Sequence, residues 1–229
     1  QGHGHDASLF TFKAGDALYE TFEVRTVDVI QGFGSDGRVY TVPVSELPGA
    51  RGDGSPLTSF VNLAPGSQMV AYYAGQADDL VLLSTKAGYG FLANVADMST
   101  RNKAGKSFIT IDAKVPGDAP LGACKVQVGM KQVACLSEAS KLLVFPLDEL
   151  KRLPTGGKGV ILMGLDDKEF MASAIAVGPN GASFSGAGRA GKPTELSLDA
   201  KTLKSFAGNR ARKGHFVEPR LKDGKLKAH

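Results

Sequence analysis

Apolar and polar positions alternate along much of this chain with a period of two. The stretches SFVNL (59–63) and LVLLS (80–84) set β-branched and aliphatic residues between Gly, Asp and Asn, the pattern of strands. Helical spacing is weak. Only VSEL (44–47) and LDEL (147–150) hold enough of it for a single turn.

The strand pattern recurs. VYTVPVSEL (39–47), YGFLANVADM (89–98) and KLLVFPLDEL (141–150) can be aligned, each preceded by a turn residue, Gly37, Gly88 or Ser140. Each closes on an aliphatic residue, Leu47, Met98 or Leu150, and seven positions later stands a glycine, Gly54, Gly105 or Gly157. A short β-rich run follows: LTSFVNL (57–63), FITI (108–111) and VILM (160–163). The period is 51 residues, then 52. Two flanking copies are degenerate. TFKAGDALYETFEV (11–24) lacks the first half of a unit, and TELSLDAKTL (194–203) followed by RARKGHFV (210–217) has a longer loop.

Small sheets repeating at about 50 residues predict an all-β radial array of five four-stranded blades, since one such unit cannot bury both its faces alone. The predicted boundaries are a tail at 1–7, one domain at 8–221 and a basic tail at 222–229. Whether the ring closes is left open by the incomplete first unit.

Composition changes this picture little: 42% hydrophobic and 22% charged residues are those of a globular protein. No apolar run approaches the ~20 residues of a membrane span, and the polar amino terminus has no signal-peptide pattern. Charge changes it more. Residues 1–80 hold 4 Lys/Arg against 10 Asp/Glu, whereas residues 81–229 hold 23 against 13. The asymmetry suggests a polyanion partner for one side of the molecule, the alternative being a mixed solvated surface. Cys124 and Cys135 would face each other if Gly129-Met130 were a hairpin tip, which makes a cross-strand disulfide conceivable; buried, reduced thiols are the expectation. No Cys or His stands at metal-ligand spacing, and no metal or cofactor site is expected.

One loop recurs in every unit: AGDA (14–17), RGDGS (51–55), KAGK (103–106), TGGKG (155–159) and RARKG (210–214). Four of the five set Lys or Arg beside glycine. Glycine allows close backbone approach and the cation supplies charge, as a phosphodiester requires. Repeated around a rim, such loops would touch a nucleic-acid backbone at intervals without reading bases. Solvated tight turns would share this composition. TRNKAGKS (100–107) is one glycine short of a P-loop, but the strand-like FITID after it argues against a nucleotide site. The acidic pairs Asp78-Asp79 and Asp166-Asp167 sit in turn-like stretches and read as solvated, not as acid/base pairs.

SELPGARGDGSPLT (45–58), AGYGF (87–91) with RNKAGKS (101–107), VFPLDEL (144–150) with GGKG (156–159), and GNRARKG (208–214) together resemble the C-terminal domains of the A subunits of bacterial DNA topoisomerase IV. The similarity runs from about Ser8 to Leu221. The related gyrase A domains carry a QRRGGKG box, and no such heptapeptide is present here. The resemblance implies a five-bladed β-pinwheel that binds and bends duplex DNA, the transport segment, along a basic outer edge. It implies a role in decatenation and supercoil relaxation by the full enzyme. It also implies that the catalytic tyrosine lies in an upstream domain and that ATP and Mg2+ serve only the full enzyme. The implied partners are duplex DNA and the rest of the A subunit, through which the domain meets the B subunit. The isolated domain is expected to be monomeric, without strand-cleaving activity, and nucleoid-associated in the cytoplasm. Tyr40, in RVYT, lies in a strand pattern and is not a cleavage motif. Candidate DNA contacts are Arg51, Arg101, Lys103, Lys106, Lys158, Arg210, Arg212 and Lys213. Lys86, Lys141, Lys151, Arg152, Arg189 and Lys192 follow in a second rank. The acidic first unit (Asp16, Glu20, Glu23, Asp28) is expected to repel DNA or face the rest of the enzyme.

Overall fold

A computed structural model describes residues 11–12, 14–15, 17–49 and 54–229. Their strands form four antiparallel sheets. In the first, β1 (Val29–Gly34) and β2 (Arg38–Pro43) form a hairpin, β3 (Met69–Gly75) joins β1, and β6 (Lys106–Ser107) joins β2. In the second, β4 (Leu80–Thr85) and β5 (Tyr89–Asn94) take β7 (Pro120–Lys125) on one side and β10 (Val160–Ile161) on the other. In the third, β8 (Gln132–Ser137) and β9 (Lys141–Pro146) take β11 (Met171–Val177) and β14 (His215–Phe216). The fourth has three strands, β12 (Ala182–Ala187) between β13 (Pro193–Leu198) and β15 (Lys222–Ala228).

Each outer strand is therefore donated by the following unit. The inner strands β3, β7, β11 and β15 pack side by side in that order and set the blades around a centre. Alternation explains the stacking. Val81 and Leu83 face the first sheet beside Phe33, Val39 and Tyr73, whereas Leu82 faces the third beside Val133 and Leu143. Leu143 and Phe145 likewise point back towards the second sheet, and Leu142 and Val144 point on to Phe184, Leu198 and Leu226 of the fourth. A strand covered on both faces reads as a continuous apolar run, which is why LVLLS and KLLVF show so little polar spacing.

At the two ends of the array the faces differ. The outer face of the first sheet, Tyr40 and Val42, is covered by the chain's own Leu57, Phe60, Val61 and Leu63. In the fourth sheet Phe184, Leu198 and Leu226 face inward, while Ser183, Ser185, Lys225 and Lys227 occupy the alternate positions. The edge where an outer strand would add begins with Pro193, which has no N–H to give.

Two expectations change, and that of reduced cysteines holds. Five units in the sequence give four sheets among the described residues. The first unit forms no strand at 17–25, where Tyr19 and Phe22 instead rest edge-on against Tyr72 and Tyr73. The basic residues 222–228 are not a tail but β15, an inner strand that buries Leu226. Cys124 and Cys135 lie in β7 and β8, which belong to different sheets, and both thiols are free. Gly129 does turn the chain, at φ +92°, but the turn carries it from one blade to the next. Burial pushes both thiols above their usual range. The turns expected at VSEL and LDEL are present as 3-10 turns, at Val44–Glu46 and Leu147–Glu149. Two short helices, Val95–Met98 and Ala200–Ser205, hold the places that these turns hold in the other units; Asp199 caps the second, accepting from the Thr202 N–H.

Candidate nucleic-acid interface

Three of the five recurring glycine loops sit where one blade crosses to the next. Gly105 lies against Val39, Gly159 against Gly90 and Gly214 against Leu142, and these three partners hold the same place in β2, β5 and β9. The third loop is thus two residues longer than the sequence alignment gives, with Gly159 rather than Gly157 matching Gly105. All three glycines have positive φ, and a Cβ on any of them would press on the preceding strand. The close approach that glycine permits is therefore spent on a neighbouring backbone inside the protein.

Many of the loop cations are similarly engaged. The Lys106 ammonium donates to the Asp97 carbonyl at 2.7 Å and stands over the Phe108 ring. Lys158 pairs with Asp112 at 2.8 Å and stands 4.1 Å from the centre of the Tyr89 ring. That ion pair holds the Asp112 carboxyl below its ordinary range and raises the lysine. Arg152 reaches back one blade to grip Asp97 through two hydrogen bonds, at 2.8 and 3.0 Å, and depresses that carboxyl. Arg210 does the same one blade later, donating to Glu149 and to the Ile161 carbonyl. Lys141 is buried and, with Lys213, holds Asp166; Lys141 also pairs with Glu169 at 3.1 Å. Lys86 stands over Phe170.

The rest are exposed. Arg101, Lys103, Lys151, Arg189, Lys192 and Arg212 make no ion pair or side-chain hydrogen bond among the described residues. Lys103 and Arg212 each stand two positions before a matched glycine, Gly105 or Gly214, so the repeat places them on one rim. Arg51 and Asp16 lie outside the described residues. A further set escaped the loop-based reading: Lys222, Lys225 and Lys227 of β15 are exposed. The alternation of Lys225 and Lys227 with Gly224, Leu226 and Ala228 was the available signal of a strand.

Between the first two blades lies a groove of about 570 Å³ lined by Thr41, Glu46, Phe60, Ser99, Thr100, Arg101 and Lys103. Its floor is tied down. Thr41 receives the Thr100 N–H at 3.0 Å and donates to Gln31, whose amide donates to Ser99 at 2.7 Å. TRNKAGKS thus leads into a two-residue strand, β6, and not into a helix. Tyr40 is fully buried, with its hydroxyl accepting the Ala64 N–H at 3.1 Å.

The family model described as DNA gyrase C-terminal domain, beta-propeller, matches residues 33–70, 79–116 and 131–177, more than half of the chain. The chain belongs to this family. Among curated relatives it is 32% identical to the A subunit of DNA topoisomerase 4 from Neisseria gonorrhoeae and 31% identical to that from Pseudomonas aeruginosa, over 92% and 94% of its length. It spans 28% of each relative. The Escherichia coli ParC C-terminal domain superposes with a TM-score of 0.77 at 25% identity, covering 98% of this chain and 90% of that one. The C-terminal domain of DNA topoisomerase IV in a second structure gives 0.72 at 18% identity, over 93% and 66%. The stretch matched is the C-terminal part of a type IIA topoisomerase polypeptide and excludes its catalytic region. No helix of the described residues is long and apolar enough to cross a membrane.

Proposed function

We propose that this domain binds and bends duplex DNA, without reading its sequence, as the accessory domain of the topoisomerase IV A subunit. In that role it presents a transport segment for decatenation and supercoil relaxation. Its protein partners are the rest of that polypeptide and, through it, the B subunit; ATP and Mg2+ are left to the remainder of the enzyme. The observation that carries this reading is that exposed, unpaired cations stand at each of three successive blade joints, two of them, Lys103 and Arg212, at the same place before a matched glycine. Arg101 and Lys103 stand at the first joint, Lys151 at the second and Arg212 at the third. Loops on a rim suit backbone contact, and nothing among them is shaped to enter a major groove.

The test is a salt titration of binding to linear and supercoiled duplexes by fluorescence anisotropy. Arg101→Glu, Lys103→Glu and Arg212→Glu together should weaken binding to all sequences and lower the slope of log K against log salt by about 3, one ion release for each lost phosphate contact. Replacing Lys106, Lys158 and Arg210 should instead lower stability, because those side chains hold blade joints. Unchanged affinity and slope in the first variant would move the DNA path elsewhere. A parent chain without salt-dependent affinity would favour a protein-interaction scaffold.

A further inference from the structure

The three blade joints offer an internal comparison. The first three blades each carry an acid at the same place just after the outer hairpin strand, Glu46, Asp97 or Glu149, one residue before Leu47, Met98 or Leu150. At the second joint Arg152 reaches back to Asp97, and at the third Arg210 reaches back to Glu149. Arg101 stands four positions before Gly105, as Arg210 stands four before Gly214. The spacing of the third joint therefore places Arg101 to reach back to Glu46, whereas Arg152 reaches its acid from seven positions before Gly159. Both side chains line the groove between the first two blades, yet no ion pair joins them. There the chain also lacks the backbone bridge found at the other two joints, Leu92 with Arg152 and Val144 with Ala207; the Thr100 N–H meets the Thr41 hydroxyl instead. The first joint is an opened copy of the other two, and its arginine is not engaged among the described residues.

We propose that this groove is a seat for a DNA phosphate and that Glu46 is its built-in competitor, so that Arg101 exchanges between Glu46 and the duplex backbone. The inference rests on the DNA-binding reading above. A carboxylate and a phosphodiester oxygen offer an arginine the same charge-assisted contact. At an exposed joint such a pair is weak enough to be exchanged. Glu46 thereby sets the affinity of the site without touching DNA, and the polar floor of Thr41, Ser99 and Thr100 keeps the seat open. The two later joints, with their arginines engaged, hold the blades together.

The experiment is a double-mutant cycle on the 229-residue chain, with duplex DNA of mixed sequence as the probe at fixed low salt. Glu46→Gln should tighten binding about two- to fivefold, the range of an exposed ion pair. In an Arg101→Gln background the same substitution should change affinity by less than about 1.7-fold, the lower edge of the additivity error of independent sites. Equal tightening in both backgrounds would mean that Glu46 acts only through overall charge and would overturn the proposal. So would no tightening in either. Glu195→Gln, on the terminal sheet, should change affinity equally in both backgrounds. If the parent chain does not bind DNA, the DNA-binding reading itself fails, an outcome distinct from binding with an additive cycle.

Discussion

At the scale of single residues, two glycines with nearly the same backbone angle separate conformational need from crowding. Gly37 has φ +83° and Gly66 has φ +76°. A Cβ on Gly37 would overlap the Ile109 carbonyl, which the Gly37 turn faces across the joint, whereas one on Gly66 meets nothing within 4 Å. Gly66→Ala should therefore cost only the left-handed strain, about 1 kcal/mol, and lower Tm by about 2–4 °C. Gly37→Ala adds displacement of the neighbouring blade's backbone and should cost about 3 kcal/mol, or about 6–12 °C. Thermal melts followed by circular dichroism compare them directly; equal shifts would show that crowding at the joint is relieved at no cost. The sequence shows both residues as glycine before a strand and cannot rank them, because the carbonyl that crowds Gly37 lies 72 positions away. The same limit applied to the loop cations. Which of them face solvent depends on whether Asp97, Asp112, Glu149 or Asp166 lies across a joint, a fact of the fold and not of the loop.

At the scale of elements, the repeat was legible and its two ends were not fully so. The three central hairpins and their turns could be aligned because each pairs in the same way, whereas of the aligned glycines only Gly105 lies against the preceding hairpin: Gly159 takes the place expected of Gly157, and Gly54 has open space around it. The first unit failed to form a strand among the described residues although its pattern suggested one, and the last was longer than its pattern showed. Both stand where the array ends and the packing rule changes. The alternation of TELSL and GKLKA, against the apolar runs of the central strands, marks a sheet with one solvated face. The joint between third and fourth blades depends on a charge cluster whose response to pH has a definite sign. Lys141, and then Lys213, hold the Asp166 carboxyl at about 2, below its ordinary 3.8. A carboxyl depressed on folding stabilises the native state above the unfolded value, and this contribution is lost as pH falls through the folded one. Stability should thus decline between about pH 4 and pH 2, and in Asp166→Asn that decline should be shallower. Guanidinium midpoints at several pH values measure the difference; parallel curves for the two proteins would mean that the cluster does not couple folding to pH.

At the scale of the whole molecule, the array is held by its inner strands, because β3, β7, β11 and β15 each contact the next around the centre. The last of these is also the most basic of the four, with three lysines against one aspartate, and the two properties can be separated. Removing residues 222–229 takes away Leu226, which packs into the cluster with Phe184, Leu198 and Val177, and strips β12 of one of its two partners. Such a truncation should therefore open the fourth blade, lowering Tm and admitting protease at β12 and β13. Lys222→Gln, Lys225→Gln and Lys227→Gln together keep the strand's inward-facing residues, so that protein should melt close to the parent. If the three lysines contribute to the polyanion surface, the triple variant should lose DNA affinity while retaining its melt. If they do not, both should match the parent, and the basic character of β15 then reflects only the need to keep the end of the array solvated. An undiminished melt in the truncated chain would show that three inner strands suffice and that β15 is an addition to a finished core.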